Sequence, residues 1–295
     1  MALWESSQPE SGALDADPAF EALRNIVWAR LGLDLSHYKR ACVLRRLEVR
    51  LRACGCPNLK AYLEQVATDG DEVQAFLSTL TVNVTEFFRN PPCFEQIRAR
   101  CLPKLFPGRN DDDAEEQPLR RRQGPLRVWC VGCASGEESY SIAILLREYL
   151  DDHPHSRPRS FEVRGSDIDA AMITRANLGC FEADRLTGVS RERRERWFDN
   201  EGEGWRVKRR VRACVRHEVA DVLRHAPEEP HDMIVCRNMM IYLAREPQET
   251  LLQRFREVLA PGGFLVLGRT ELLTQNAREH FETVCPRERI YRLRA

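Results

Sequence analysis

Between an apolar run and an amphipathic one lie Gly132-Cys133-Ala134-Ser135-Gly136-Glu137-Glu138, a glycine-rich turn that closes on two consecutive carboxylates. A turn of this kind between a strand and a helix is where open α/β sheets take up nucleotide-like ligands. It has neither the G-x-G-x-x-G spacing of a dinucleotide site nor the G-K-[ST] ending of a phosphate loop. Its charge also argues against a phosphate, because a helix start that receives a pyrophosphate should not open on two carboxylates. The same carboxylates suit a cationic head without phosphate, and S-adenosylmethionine carries both an ammonium and a sulfonium. The competing role for Glu137 and Glu138 is stabilisation of the helix dipole, worth about 0.3–1 kcal/mol. Asp167, in RGSDID, stands where the next strand should end and a carboxylate can accept ribose hydroxyls; the competing role is a helix N-cap by Asp167 or Asp169. Cys236, which ends a third apolar run, HDMIVC, and Arg237 and Asn238 after it should border the ligand by the same strand-end position.

Such groups converge only if strands and helices alternate. From residue 126 onward they do: LRVWCVG, EESYSIAILLREYL, FEVRGSD, IDAAMITRAN, HDMIVC, QETLLQRFREVLA, the turn PGG and FLVLG predict βαβ units and a parallel sheet covered on both faces. Between about Asp184 and Asp221 the alternation lapses into a charged segment containing WRVKRR and CVRHEVA, which predicts a small antiparallel insertion over 184–221. Upstream, FEALRNIVWARLGL, ACVLRRLEVRLRA, LKAYLEQVA and VQAFLSTL repeat apolar residues at helical spacing, predicting a helical domain over 18–106. Residues 1–17 are expected to be a loose tail and 107–125, an acidic block followed by a basic one, a linker.

The 295 residues carry 45 Lys and Arg against 45 Asp and Glu, so the formal charge is zero and a general nucleic-acid binder is disfavoured. No apolar run reaches the roughly 18–20 residues that span a bilayer, and the first residues lack a basic and apolar leader pattern. A cytoplasmic, monomeric chain without membrane insertion is expected. The 11 cysteines are scattered through helices and strands; Cys130 and Cys133 form a C-x-x-C and Cys54 and Cys56 a C-x-C, but neither has a second Cys or His pair at metal-like spacing, so reduced thiols and no metal are expected.

Five strings occur in order: TVNVTEFFR at 81–89, VWCVGCASGEESYSIA at 128–143, GSDID at 165–169, CRNMMIYL at 236–243 and APGGFLVLGRTELL at 260–273. They resemble the signature blocks of CheR-type chemoreceptor glutamate methyltransferases, from about residue 20 to the C-terminus. The resemblance implies an N-terminal helical domain, a class I S-adenosylmethionine-dependent methyltransferase domain of Rossmann-like α/β fold, and a small inserted β subdomain that contacts the receptor. Two departures stand out. Family members usually have Glu-Glu-Pro where this chain has Glu137-Glu138-Ser139, and Gly-His-Ser-Glu where it has Gly268-Arg269-Thr270-Glu271. The second exchanges a histidine for a permanently charged arginine and bears on substrate choice.

By the resemblance, Arg89 holds the substrate's or the cofactor's carboxylate through a bidentate fork, against the alternative of a surface pair with Glu86. Asn83 and Thr85 would offer polar contacts to the cofactor, or Thr85 a helix N-cap. Tyr242 would be the tyrosine beside the transferring methyl, and Asp221 with Val222 would flank the adenine. The expected reaction is transfer of a methyl group to glutamate side chains of chemoreceptors, with no general base, since a carboxylate of reference pKa about 4.3 is already ionised. The expected partner is the cytoplasmic helical part of the receptor, met by a basic ridge of Lys39, Arg46 and Arg50 beside the stripe Val43, Leu47 and Leu51, the alternative for that ridge being a solvated basic face. The alternatives are a non-catalytic binding module and a methyltransferase with another acceptor.

Overall fold

A computed structural model of the chain describes residues 18–107, 124–156 and 160–294. The expected tail lies outside the described residues, as does nearly all of the expected linker. The chain forms two compact units that part between Val82 and Asn83.

The first unit consists of α1 (Pro18–Leu31), α2 (Arg40–Cys54), α3 (Leu59–Thr68) and α4 (Gly70–Leu80). Local signals set the ends. Asn58 Oδ1 accepts the Ala61 N–H, Asp69 Oδ1 accepts those of Asp71 and Glu72, and Gly55 at φ 67° closes α2 with a left-handed residue. Leu23, Val27, Val43, Leu47, Tyr62, Val66, Phe76 and Leu80 fill the core. Within it Glu72 is only 5% exposed, takes a fork from Arg50 and accepts the Tyr62 hydroxyl at 2.7 Å. Burial pushes the Glu72 carboxyl up, but the bonds from Arg50 and Tyr62 outweigh it and hold it below the usual range. Arg50 is therefore turned inward, and of the expected basic ridge Lys39 is exposed and Arg46 half-buried. Sequence spacing placed the three on one flank but could not show that an apolar-facing glutamate would claim one of them.

The second unit begins with α5 (Pro91–Gln96), a π-helical turn at Ile97–Cys101 and α6 (Leu102–Leu105), followed by β1 (Leu126–Val131), α7 (Glu137–Asp152), β2 (Phe161–Asp167) and α8 (Ala170–Leu178). Then come β3 (Cys180–Glu182), α9 (Arg191–Trp197), β4 (Phe198–Asn200), β5 (Gly204–Val207), α10 (Arg209–Arg212) and β6 (Val215–Val219). The chain ends with β7 (His231–Cys236), α11 (Arg245–Val258), β8 (Leu259–Leu267), α12 (Gln275–Arg278), β9 (Phe281–Cys285) and β10 (Ile290–Leu293). Residues 83–106, expected in the helical domain, belong here. Phe94, Ile97, Cys101, Leu102 and Phe106 share one core with Val128, Leu146 and Val163. Periodicity shows which face a helix buries and is silent about the body it buries it against.

The large sheet runs β6-β2-β1-β7-β8-β10-β9, with the first five strands parallel and β10 antiparallel to both neighbours. The order reverses between β1 and β7, which opens a crevice at their carboxyl ends. Register makes those ends coincide: Val131 pairs with Ser166, Cys130 with Val235, Asp167 with Val219 and Cys236 with Leu267. The loops after β1, β2, β6, β7 and β8 thus share one edge.

Two expectations change. The small antiparallel sheet, ordered β3-β5-β4, begins at Cys180, and CVRHEVA, expected within the insertion, supplies β6 of the large sheet. Pro261-Gly262-Gly263, expected as a turn before the last parallel strand, lies inside β8 as an irregularity in its register with β7. A Cβ on Gly263 would stand 2.8 Å from the Ala260 carbonyl and 3.0 Å from that of Asp232, so the strand passes only with glycine there.

Candidate functional site

The turn after β1 takes its shape from backbone angles that suit glycine. Gly132 has φ 69° and Gly136 φ 94°. A Cβ on Gly132 would meet the Met239 side chain at 3.1 Å, and one on Gly136 would meet Ala176 Cβ and His217 Nε2 at 3.0 Å. Ala134 holds a left-handed φ of 46° without being glycine, and its N–H donates to Asp167 Oδ2 at 2.9 Å. Asp167 Oδ1 accepts the Asp169 N–H at 3.0 Å, so this carboxylate ties the ends of β1 and β2 together. The cap of α8 is Asp169, whose Oδ1 accepts from Ala171 and Met172 while Oδ2 accepts Asn83 Nδ2 at 3.0 Å. Burial pushes the Asp167 carboxyl up against the pull of the backbone bonds from Asp169, Ala134 and Ile168.

At the start of α7, Glu137 is 1% exposed and accepts the Ser135 hydroxyl at 2.7 Å. Glu138 pairs with Arg237 at 2.8 Å, the two side chains being 14% and 3% exposed. Burial raises both carboxyls, with Arg237 opposing the rise at Glu138. One of the two carboxylates expected to face a cation is thus matched within the protein. Glu137, Glu138 and Asp167 gather at this edge against Arg237, with Arg185 felt by Glu137 and both Arg89 and Glu271 felt by Glu138. This environment fits a sulfonium and an ammonium and would repel a pyrophosphate. Ser139, in place of the family's proline, sits 3.0 Å from the Gly136 carbonyl and 2.7 Å from His217 Nε2. If the hydroxyl donates to the carbonyl and accepts from Nε2–H, all three groups are satisfied. Burial pushes the His217 imidazole down to about 4.

The loops after β7 and β8 are joined by Glu271, which sequence reasoning quoted only as a motif letter. Its carboxylate is 3% exposed and accepts the N–H groups of Gly268 at 2.7 Å, Asn238 at 2.9 Å and Ile241 at 3.2 Å. Asn238 bends the loop at φ 62°, and Tyr242 ends a single helical turn, Met240–Tyr242, half-buried. Cys236 as a whole has no exposed surface, which departs from its expected place beside the ligand. Asp221 Oδ1 accepts the Leu223 N–H at 2.9 Å in the turn after β6, and Val222 beside it is 7% exposed.

Segment 83–90 is pinned along its length. The Phe87 ring meets Phe181 and Phe198 edge-on at 4.8 and 5.0 Å, the Phe88 N–H donates to Ser141 Oγ at 2.9 Å, and the Thr85 carbonyl accepts Arg185 Nη1 at 2.9 Å. No helix starts at Thr85; the next one begins at Pro91 after Asn90. Arg89, half-buried, donates Nη1 to the Val84 carbonyl at 3.0 Å, and among the described residues it forms no ion pair with Glu86. Its own carbonyl accepts Arg237 Nη2 at 2.7 Å, and its charge is felt by Glu138.

A seven-stranded sheet with one antiparallel strand next to its end, whose switch-point turn opens on carboxylates, defines a class I S-adenosylmethionine-dependent methyltransferase. Residues 83–290 match the family model described as CheR methyltransferase, SAM binding domain, and residues 18–81 match CheR methyltransferase, all-alpha domain. The chain belongs to the CheR methyltransferase family, and S-adenosylmethionine is the cofactor of the matched domain. It is 32% identical over 272 residues to the chemotaxis protein methyltransferase of Salmonella typhimurium, covering 90% of this chain and 87% of that one. It is 30% identical over 284 residues to chemotaxis protein methyltransferase 1 of Pseudomonas aeruginosa, covering 94% and 98%. No helix among the described residues is long and apolar enough to cross a membrane.

Proposed function

We propose that the protein methylates glutamate side-chain carboxylates of chemoreceptors, forming methyl esters, and that Arg89 and Tyr242 serve the acceptor. The observation that carries this is the half-buried Arg89 beside the Glu138–Arg237 pair, in a segment whose backbone is fixed from several sides. S-adenosylmethionine, when bound, supplies a methyl group activated by the sulfonium. Gly132, Gly136, Glu137, Glu138 and Asp167 form the first part of its site, with Asn238 and the Asp221-Val222 turn along the same sheet edge. Asn83 and Thr85 bear on it through the pinned segment, Asn83 by way of Asp169.

The chain's task is orientation, because an ionised glutamate needs no base to make it nucleophilic. The Arg89 guanidinium aligns a carboxylate through two parallel N–H bonds. Tyr242 offers its ring as a wall and its hydroxyl as a donor. The Glu138–Arg237 pair keeps Arg237 from competing for the substrate. Recognition of the receptor's acidic helical surface falls to Lys39 and Arg46 of α2.

Incubation with methyl-labelled S-adenosylmethionine and chemoreceptor-containing membranes tests the proposal. Base-labile label on the receptor is the expected result. Label in a base-stable linkage, or none on the receptor while S-adenosylhomocysteine binds normally, would reject the glutamate assignment.

A further inference from the structure

Arg269, one of the two departures from the strings that the chain resembles, lies in the loop after β8. Its guanidinium closes a fork on Glu288, Nε to Oε2 at 3.0 Å and Nη2 to Oε1 at 2.5 Å. Glu288, in the turn between β9 and β10, has a side chain only 2% exposed, although Arg269 itself is 44% exposed. Glu288 Oε2 also accepts Asn90 Nδ2 at 2.7 Å. Asn90 directly follows Arg89 and holds φ 62°, the bend from which α5 departs. The bond from Arg269 keeps the Glu288 carboxyl below its usual range, so it stays an ionised acceptor for Asn90.

We propose that Arg269 and Glu288 form a positioning clamp for Arg89, acting through Asn90. The inference rests on the reading of Arg89 as the residue that orients a carboxylate. Three anchors surround the Arg89 peptide: Ser141 holds the Phe88 N–H, Arg237 holds the Arg89 carbonyl, and Glu288 holds the Asn90 side chain. The first two fix the chain before and at Arg89, and the third fixes the bend after it. A guanidinium on a long side chain magnifies backbone tilt, so freeing Asn90 by about 10° displaces the fork by roughly 1 Å, enough to weaken in-line alignment. A histidine at 269 could not reproduce the fork, since an imidazole cannot offer two parallel N–H donors to one carboxylate. Arg269 and Glu288 are positioning residues and touch no reacting atom.

The test compares Glu288→Gln, Asn90→Gly and Arg269→Lys, each alone and combined with Arg89→Ala, in receptor methylation and in the resting enzyme. Asn90→Gly accepts the left-handed φ and leaves the Arg269–Glu288 pair intact, so it serves if Glu288→Gln fails to fold. Each single variant should lower kcat/KM for methyl transfer by about ten- to a hundredfold, the scale of a misplacement of up to roughly 1 Å, and should add nothing once Arg89 is alanine. In the enzyme without substrate, the Arg89 Nε–H resonance, assigned by its loss in Arg89→Ala, should broaden or shift in Glu288→Gln and Asn90→Gly. Losses that persist undiminished in the Arg89→Ala background, or an Arg89 resonance unmoved by both variants, would overturn the clamp. Full activity of Arg89→Ala would instead overturn the role assigned to Arg89, a distinct outcome.

Discussion

At Asp167 the two carboxylate oxygens hold the backbone N–H groups of Ala134 and Asp169, and the proposed role adds ribose hydroxyls to the same group. Asp167→Ala should weaken S-adenosylhomocysteine binding by about 1–3 kcal/mol in calorimetry and also lower the melting temperature. A lowered melting temperature with unchanged affinity would make Asp167 a clamp alone. Arg89→Ala should depress methyl transfer and weaken binding of substrate or cofactor, whereas Tyr242→Phe keeps the ring and tests the hydroxyl by itself. Both positions were legible as letters in recognisable strings. Glu271 was a letter in such a string too, but its role was not legible, because a carboxylate that collects three backbone N–H groups from two loops leaves no spacing signature in either.

Among the elements, α7 and β6 are locked to each other by the Ser139 and His217 contact. His217, 7% exposed, is pushed down to about 4 by burial, so the folded protein resists protonation while the unfolded chain accepts it near 6.5. Its contribution is fully present above about pH 6.5 and is lost as pH falls toward 4, by up to about 3 kcal/mol. Denaturant titrations across that window should show this slope in the wild type and a reduced slope in His217→Gln. In the helical unit, Arg50→Ala strands the buried Glu72 and should cost about 3–5 kcal/mol by the same measurement, while replacing Arg50 and Glu72 together by apolar residues should cost much less. The elements themselves followed from periodicity and turn residues, yet CVRHEVA was misassigned to the insertion. A strand's own letters do not say which sheet edge will pair with it.

For the whole molecule, attack by an ionised carboxylate predicts a methyl-transfer rate that stays flat with falling pH until about 4–5, provided the fold persists. Pre-steady-state rates measured with bound cofactor and receptor check it, and an intrinsic step titrating near pH 7 would require a general base. By itself the sequence determined the alternation of strands and helices after residue 126, the helical character of 18–80, the phosphate-free nature of the glycine turn and the family, because these depend on residue types at short spacing. Only the tertiary structure decided that residues 83–106 join the α/β core, that Arg50 faces Glu72, that Arg237 takes up the charge of Glu138, and that Arg269 holds Glu288 beside Asn90. Those outcomes depend on which apolar faces and charged groups meet once helices and strands have packed. Partners 99, 22 or 198 residues apart are brought together by packing, and no local pattern encodes the choice.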